Sequence, residues 1–287
     1  MPESTPFPPP ARLPRRTLDC HKGDFGIVGI LGGAPGMAGA ALLAGRAALL
    51  CGAGRVHVGL VDERVALDAD MPELMVGGPQ RAMDLPRAAH GKSSRSTSAC
   101  LVVGPGLGQS AAARGLLSQA LATKLPLLLD ADALNLLAQD AELAQFLRHR
   151  QAPCLLTPHP GEAGRLLELD TARVQADRDG AVHALAARYG AGVVLKGHAS
   201  LVLGRDGEPW RNSTGNPGMA APGMGDVLCG IIAALNVQGL ELDAAARLGV
   251  WLHGAAADAA VASGIGPVGL TASEVARTAR QILNAWS

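Results

Sequence analysis

The segment Gly223-Met224-Gly225-Asp226, followed by Val227, Leu228, Ile231, Ile232 and Leu235, joins a glycine turn and a carboxylate to an apolar stripe at helical spacing. A helix beginning near Asp226 turns its free N–H groups toward the glycines and attracts anions. Asp226 then stands where it could take a proton from a hydroxyl attacking a bound phosphoryl group. The same aspartate could instead only cap its helix.

Other chemistry-bearing residues follow short apolar runs. Lys196 ends one such run and leads Gly197-His198-Ala199-Ser200; a lysine there could reach nucleotide phosphates or remain solvated. His159 lies between two prolines before Gly161-Glu162, so a rigid turn could aim its imidazole into a cleft, or it is a satisfied loop histidine. Asp130 and Asp132 could bind Mg²⁺ through water or cap the helix that follows, and capping is expected of at least one. No GxxxxGK[ST] sequence occurs, which excludes a P-loop. Gly264-Ile265-Gly266-Pro267-Val268-Gly269 fits GxGxxG but carries a proline and follows no strand, so it is discarded as a dinucleotide fingerprint.

The elements that must position these residues read as βα units. Apolar runs at 27–31, 55–61, 101–103, 125–129, 154–157 and 193–196 alternate with Ala/Leu-rich segments, the pattern of a largely parallel sheet. Each run but the second leads into a glycine-rich or polar turn, at the sheet edge where open α/β folds bind ligands. Helices are expected over 226–238, 243–262 and 271–286. There is no internal repeat, so the expected organisation is a flexible proline-rich segment at 1–17 and one domain at 18–287.

Composition narrows the partners. The 25 Lys+Arg balance 25 Asp+Glu, so no overall positive field exists to hold nucleic acid or an anionic membrane. Aromatic residues are 2% of the chain, too few for base-stacking platforms. Apolar stretches are interrupted well before the roughly 18 residues of a membrane span. Five scattered cysteines, without a Cys/His cluster at zinc spacing, fit a reducing compartment, and a cytoplasmic location is expected.

Taken in order, His21-Lys22-Gly23-Asp24-Phe25-Gly26, Gly32-Gly33 through Gly39-Ala40, Pro72-Glu73-Leu74-Met75-Val76 and Val103-Gly104-Pro105-Gly106-Leu107-Gly108 form a recognisable series. It continues through Asp130-Ala131-Asp132-Ala133-Leu134-Asn135, Thr157-Pro158-His159-Pro160-Gly161-Glu162, Lys196-Gly197, Asn216-Pro217-Gly218-Met219, Gly225-Asp226 and Leu252-His253-Gly254. This series resembles the ADP/ATP-dependent NAD(P)H-hydrate dehydratase family, from about residue 18 to the end. The resemblance implies a single-domain, ribokinase-like three-layer α/β/α fold with a central, mostly parallel sheet. It also implies ADP-dependent dehydration of the S epimer of hydrated NADH or NADPH, with AMP and phosphate as products and Mg²⁺ as cofactor.

Position by position, the resemblance carries substrate binding to Ala40, Gly106, His159 and Asp226, with Asp226 as the catalytic base. It carries nucleotide binding to Lys196, Gly197, His198, Ala199, Ser200 and Gly225, and it places Lys22 and the His21 segment in the wall of the site. Metal ligands stay unassigned. The resemblance further implies a homotetramer and, because the chain has no room for an epimerase domain, a separate epimerase protein. One departure stands out: the family usually has Thr-Gly-Gly-Thr-Gly-Asp where this chain has Ala221-Pro222-Gly223-Met224-Gly225-Asp226, which removes a hydroxyl and one N–H donor. The competing readings are a ribokinase-type alcohol kinase, which would use the same aspartate and anion site, and a nucleotide-binding protein without turnover.

Overall fold

Residues such as Leu127-Leu128-Leu129 and Gly192-Val193-Val194-Leu195 are apolar at every position, because helices cover both faces of the sheet they enter. The computed structural model describes residues 8–85, 98–204 and 207–286. Its strands are Ile27–Gly32 (β1), Arg55–Leu60 (β2), Met75–Gly77 (β3), Ala99–Val103 (β4), Leu127–Leu129 (β5), Cys154–Leu156 (β6), Gly192–Leu195 (β7), Leu201–Leu203 (β8) and Trp210–Arg211 (β9). They form one sheet in the order β3-β2-β1-β4-β5-β6-β7-β8-β9. Every pairing from β3 to β7 is parallel, and β8 and β9 add antiparallel at one edge.

The helices are Ala38–Leu50 (α1), Gln80–Met83 (α2), Ala111–Ala122 (α3), Asp132–Gln139 (α4), Ala141–Arg148 (α5), Pro160–Leu167 (α6), Thr171–Ala176 (α7), Arg178–Tyr189 (α8), Met224–Val237 (α9), Leu242–Ala262 (α10) and Ala272–Ala285 (α11). Strand alternation divides the core into two layers. Val28, Ile30, Val102, Leu128 and Val194 face one way and pack with α1, α9, α10 and α11. Leu31, Leu101, Leu127, Leu129 and Val193 face the other way, toward the helices between α2 and α8. The result is the expected three-layer α/β/α arrangement. Among the described residues no helix is long and apolar enough to cross a membrane.

The helix carrying Asp226 packs on α1 at backbone range. A Cβ at Gly230 would lie 2.1 Å from the Ala44 carbonyl oxygen, so only glycine lets the two helices approach this closely. The loop before α9 is tied to α10: Asp258 accepts from Gly215 N (2.8 Å) and Asn216 Nδ2 (2.9 Å), and Thr214 Oγ1 donates to Trp251 O (2.9 Å). The discarded Gly264–Gly269 segment connects α10 to α11, as its lack of a preceding strand implies.

Three features differ from the sequence reading. Strands β3, β8 and β9 have no counterpart in the sequence reading: β3 and β9 are partly exposed edge strands without a buried apolar run, and β8 follows Lys196 after only a short turn. Helix α9 starts at Met224, so Asp226 lies in its first turn rather than at its cap. The His21-to-Gly26 segment does not reach the site edge: it forms a short 3₁₀ turn ahead of β1, with Gly26 against Val237 at the far end of α9. Lys22 is therefore at the opposite edge of the sheet from Asp226, separated by the length of a 14-residue helix. At that edge the described part of the N-terminal segment is anchored, with Ala11 and Leu13 against the core and Arg16 donating to Gly52 O and Gln238 Oε1 while lying over the Phe25 ring.

Candidate active site at the C-terminal edge of the sheet

Strand order reverses between β1 and β4, the place where a doubly wound sheet opens a crevice. The turns after these strands meet there, with Gly33 N donating to Pro105 O (3.0 Å) and Ala34 N to Gly106 O (2.6 Å). Gly106 has φ +59°, and a Cβ on it would fall 2.6 Å from Met37 O and 3.3 Å from the Ala40 Cβ. Ala40, in the first turn of α1, and Gly106 are thus neighbours in the crevice.

The second part of the site is built at the ends of β5, β6 and β7. Asp130 directly follows β5, is 2% exposed, and accepts from Lys196 Nζ at 2.7 Å. Glu162, in the first turn of α6, lies 3.8 Å from the same ammonium. Burial works against charge on Lys196, yet the two carboxylates hold its pKa above the ordinary lysine range, so it stays charged. Arg178 shapes the turn that follows, its Nη2 donating to Leu195 O (3.0 Å) and its Nη1 to Lys196 O (3.3 Å). Gly197, His198, Ala199 and Ser200 form the tight connection between β7 and β8, closed by Ser200 Oγ donating to Gly197 O.

His159 caps α6. Its Nδ1 accepts from Gly161 N (3.0 Å) and Glu162 N (3.3 Å), while Glu162 Oε2 accepts from His159 N (2.8 Å) in a reciprocal capping box. With Nδ1 used as acceptor, the neutral ring carries its proton on Nε2, which is 3.4 Å from Glu162 Oε1. Burial, followed by the Lys196 and Arg165 charges, lowers the His159 pKa, so the ring is neutral at neutral pH. Glu162 moves the other way: burial raises its pKa against the pull of Lys196.

Helix α9 supplies the third part. Its N-cap is Gly223, which has no capping side chain, and Met224 N, Gly225 N and Asp226 N have no acceptor among the described residues. A Cβ at Gly225 would stand 3.1 Å from Lys196 Nζ and 3.4 Å from Asp130 Oδ2, which sets the open helix end directly against the ion pair. The Met224 side chain is 6% exposed and lies in the apolar core, not in the turn. Asp226 makes no hydrogen bond or ion pair with the described residues, which removes the capping role left open by its sequence. Burial, and after it the Asp130 carboxylate, push its pKa up to about 7, with Lys196 opposing and Glu162 adding. A carboxylate poised near neutral pH beside free N–H donors suits proton abstraction from a hydroxyl next to a bound anion.

Neither Asp130 nor Asp132 caps α4, contrary to the expectation from sequence: the N-cap is Ala131, in a positive-φ conformation without a capping side chain. Asp130 is engaged by Lys196, and Asp132 Oδ2 accepts from Gly108 N (2.8 Å), tying α4 to the Gly106 turn. Pairing drew these carboxylates away from their own helix. Asp130 as the lysine's partner and Arg178 as the anchor of its turn were not legible in sequence, because both act across the sheet from distant positions. Among the described residues, no group of three or more His, Cys, Asp or Glu could by itself hold a metal ion.

A mostly parallel sheet covered by helices on both faces, with an open helix end and a compensated lysine at its C-terminal edge, is a ribokinase-like α/β fold. Within that class, the chain belongs to the NAD(P)H-hydrate dehydratase family, whose model matches residues 28–280. It is 44% identical to the ADP-dependent (S)-NAD(P)H-hydrate dehydratase of Neisseria meningitidis, over 94% of this chain and 88% of that one. It is 41% identical to the bifunctional NAD(P)H-hydrate repair enzyme of Coxiella burnetii, over 95% of this chain but 53% of the relative, about half that protein's length. A crystal structure of the Bacillus subtilis ADP/ATP-dependent NAD(P)H-hydrate dehydratase, co-crystallised with ATP/Mg²⁺, superposes with a TM-score of 0.80 at 28% identity, covering 97% of this chain and 96% of that one.

Proposed function

We propose that this protein is an ADP-dependent dehydratase that returns the S epimer of hydrated NADH or NADPH to the reduced dinucleotide, releasing AMP and phosphate. The observation that carries this reading is the unengaged Asp226 carboxylate, raised to about 7, beside the free N–H groups of α9 and the Lys196–Asp130 pair. Asp226 takes the proton of the ring hydroxyl, and the alkoxide oxygen attacks the terminal phosphorus of ADP, with AMP as leaving group. The phosphate ester so formed leaves as phosphate, pushed by the ring nitrogen, while a proton departs from the adjacent ring carbon. Phosphorylation is needed because hydroxide itself is a poor leaving group.

In this reading the nucleotide lies along Lys196, Gly197, His198, Ala199, Ser200 and Gly225, and the hydrate lies along Ala40, Gly106, His159 and Asp226. The open end of α9 receives the transferring phosphoryl group, whose charge the helix dipole offsets. Asp130 Oδ2, which has no hydrogen-bond partner among the described residues, would be the oxygen to hold a nucleotide-bound Mg²⁺, leaving the Asp226 carboxylate free to act as base. That ion would neutralise phosphate charge. The protein would work in the cytoplasm as a homotetramer, beside a separate epimerase; support for the last comes from relatives about twice as long that are named bifunctional repair enzymes. The test is recovery of the near-ultraviolet absorbance of reduced nicotinamide when the purified protein meets the hydrate and ADP. Phosphorylation of an unrelated alcohol without such recovery would favour the kinase alternative instead.

A further inference from the structure

Three cations stand near the ends of β6 and β7, and two are engaged. Lys196 faces Asp130 and Glu162, and Arg178 is directed at the carbonyls of Leu195 and Lys196. Arg165 is the third. It lies on α6, beyond His159 and Glu162, and its charge acts on both of them. Its Nε donates to Asn135 Oδ1 at 2.9 Å, while its two terminal nitrogens meet no acceptor among the described residues. A guanidinium held through Nε alone keeps a planar pair of donors available, the geometry that grips phosphate oxygens bidentately.

What holds Asn135 makes this position specific. Asn135 Nδ2 reaches Asp132 Oδ1 (3.5 Å), and Asp132 Oδ2 accepts from Gly108 N (2.8 Å) in the turn that contains Gly106. A run of hydrogen bonds therefore joins the Gly106 turn to the helix capped by His159, and Arg165 lies at its end.

We propose that Arg165 binds phosphate oxygens of the dinucleotide hydrate and sets its affinity, a role that rests on the reading above in which the hydrate lies between Gly106 and His159. The test is steady-state kinetics of Arg165→Gln and Arg165→Lys with the NADH and NADPH hydrates in turn, ADP being varied separately. Arg165→Gln raises the hydrate KM about tenfold or more while kcat and the ADP KM stay within about twofold. Arg165→Lys recovers only part of the loss, because an ammonium lacks the fork. An equal rise for both hydrates identifies the pyrophosphate as the bound group; a rise confined to the NADPH hydrate identifies its 2′-phosphate. Unchanged hydrate KM values, or a rise in the ADP KM instead, would overturn the assignment while the reaction stands. If the wild-type protein leaves the hydrate unconverted, the reaction itself is refuted and the role of Arg165 with it.

Discussion

Lys196 and Asp130 form a 2.7 Å ion pair directly beneath Gly225, at the open end of α9. An ammonium alone at the positive end of a helix would be repelled by its dipole and would hold any anion there regardless of need. Asp130, with Glu162 behind it, reverses that balance and leaves the neighbouring Asp226 in a field that resists ionisation. The pair thus tunes the proposed base as well as lining the proposed nucleotide side.

This makes the pH profile of kcat/KM a direct readout. Asp226 must be ionised to act, so activity falls as pH drops through about 7. Asp130→Asn removes the larger repelling charge and leaves Lys196 opposed only by Glu162, so the acid limb moves down by roughly a unit. Lys196→Met moves it up. Limbs that stay in place in both variants would dismiss the coupling.

Asp226→Asn is expected to lower kcat by about 10²–10⁴-fold with little change in the ADP KM, the range for losing a general base. Its stability effect has the opposite sign. Because the folded-state pKa is raised from 3.8 to about 7, the fold favours the protonated acid, and that contribution is lost as pH rises from about 4 to about 7. The full shift corresponds to about 4 kcal/mol, and partial exposure reduces it to about 2 kcal/mol. Urea unfolding should therefore find Asp226→Asn more stable than the parent above pH 7, with the difference gone near pH 4.

At Gly106 a methyl group meets Met37 O at 2.6 Å on backbone with φ +59°. Gly106→Ala should cost about 2 kcal/mol or more and raise the hydrate KM. Gly36→Ala is the control: its φ is +78° but nothing lies within 4 Å, so about 1 kcal/mol is expected with kinetics intact. Equal effects would mean that strain, not the shape of the crevice, governs both.

Met224 stands where the family resemblance implies a threonine. Its buried side chain predicts that Met224→Thr destabilises by about 1–3 kcal/mol, and that Met224→Leu costs less than about 1.5 kcal/mol. Both should retain the ADP KM, because what this residue offers the proposed anion site is its backbone N–H. A marked gain in nucleotide affinity for Met224→Thr would show that the hydroxyl matters after all.

The layered fold was legible because its buried strands are short, uniformly apolar and end in Gly, Asp or Lys, signals that require no partner to interpret. The apolar stripe after Gly225 likewise located α9 to within two residues. Pairings across the sheet were not legible. Asp130 and Lys196 are 66 residues apart, and only the register of β5, β6 and β7 brings them together. The His21 segment misled for a related reason: its lysine and histidine look chemical, whereas its position ahead of β1 commits it to the opposite edge.

The contact of Gly230 with Ala44 fixes more than a packing distance. It ties the helix bearing Asp226 to the helix bearing Ala40, so the spacing of these two residues is gauged by main chain on both sides. Single substitutions along this seam could not retune that spacing without forcing the helices apart. Adjustment of that spacing is thereby left to the loops, chiefly the β7–β8 connection and the segment before α9.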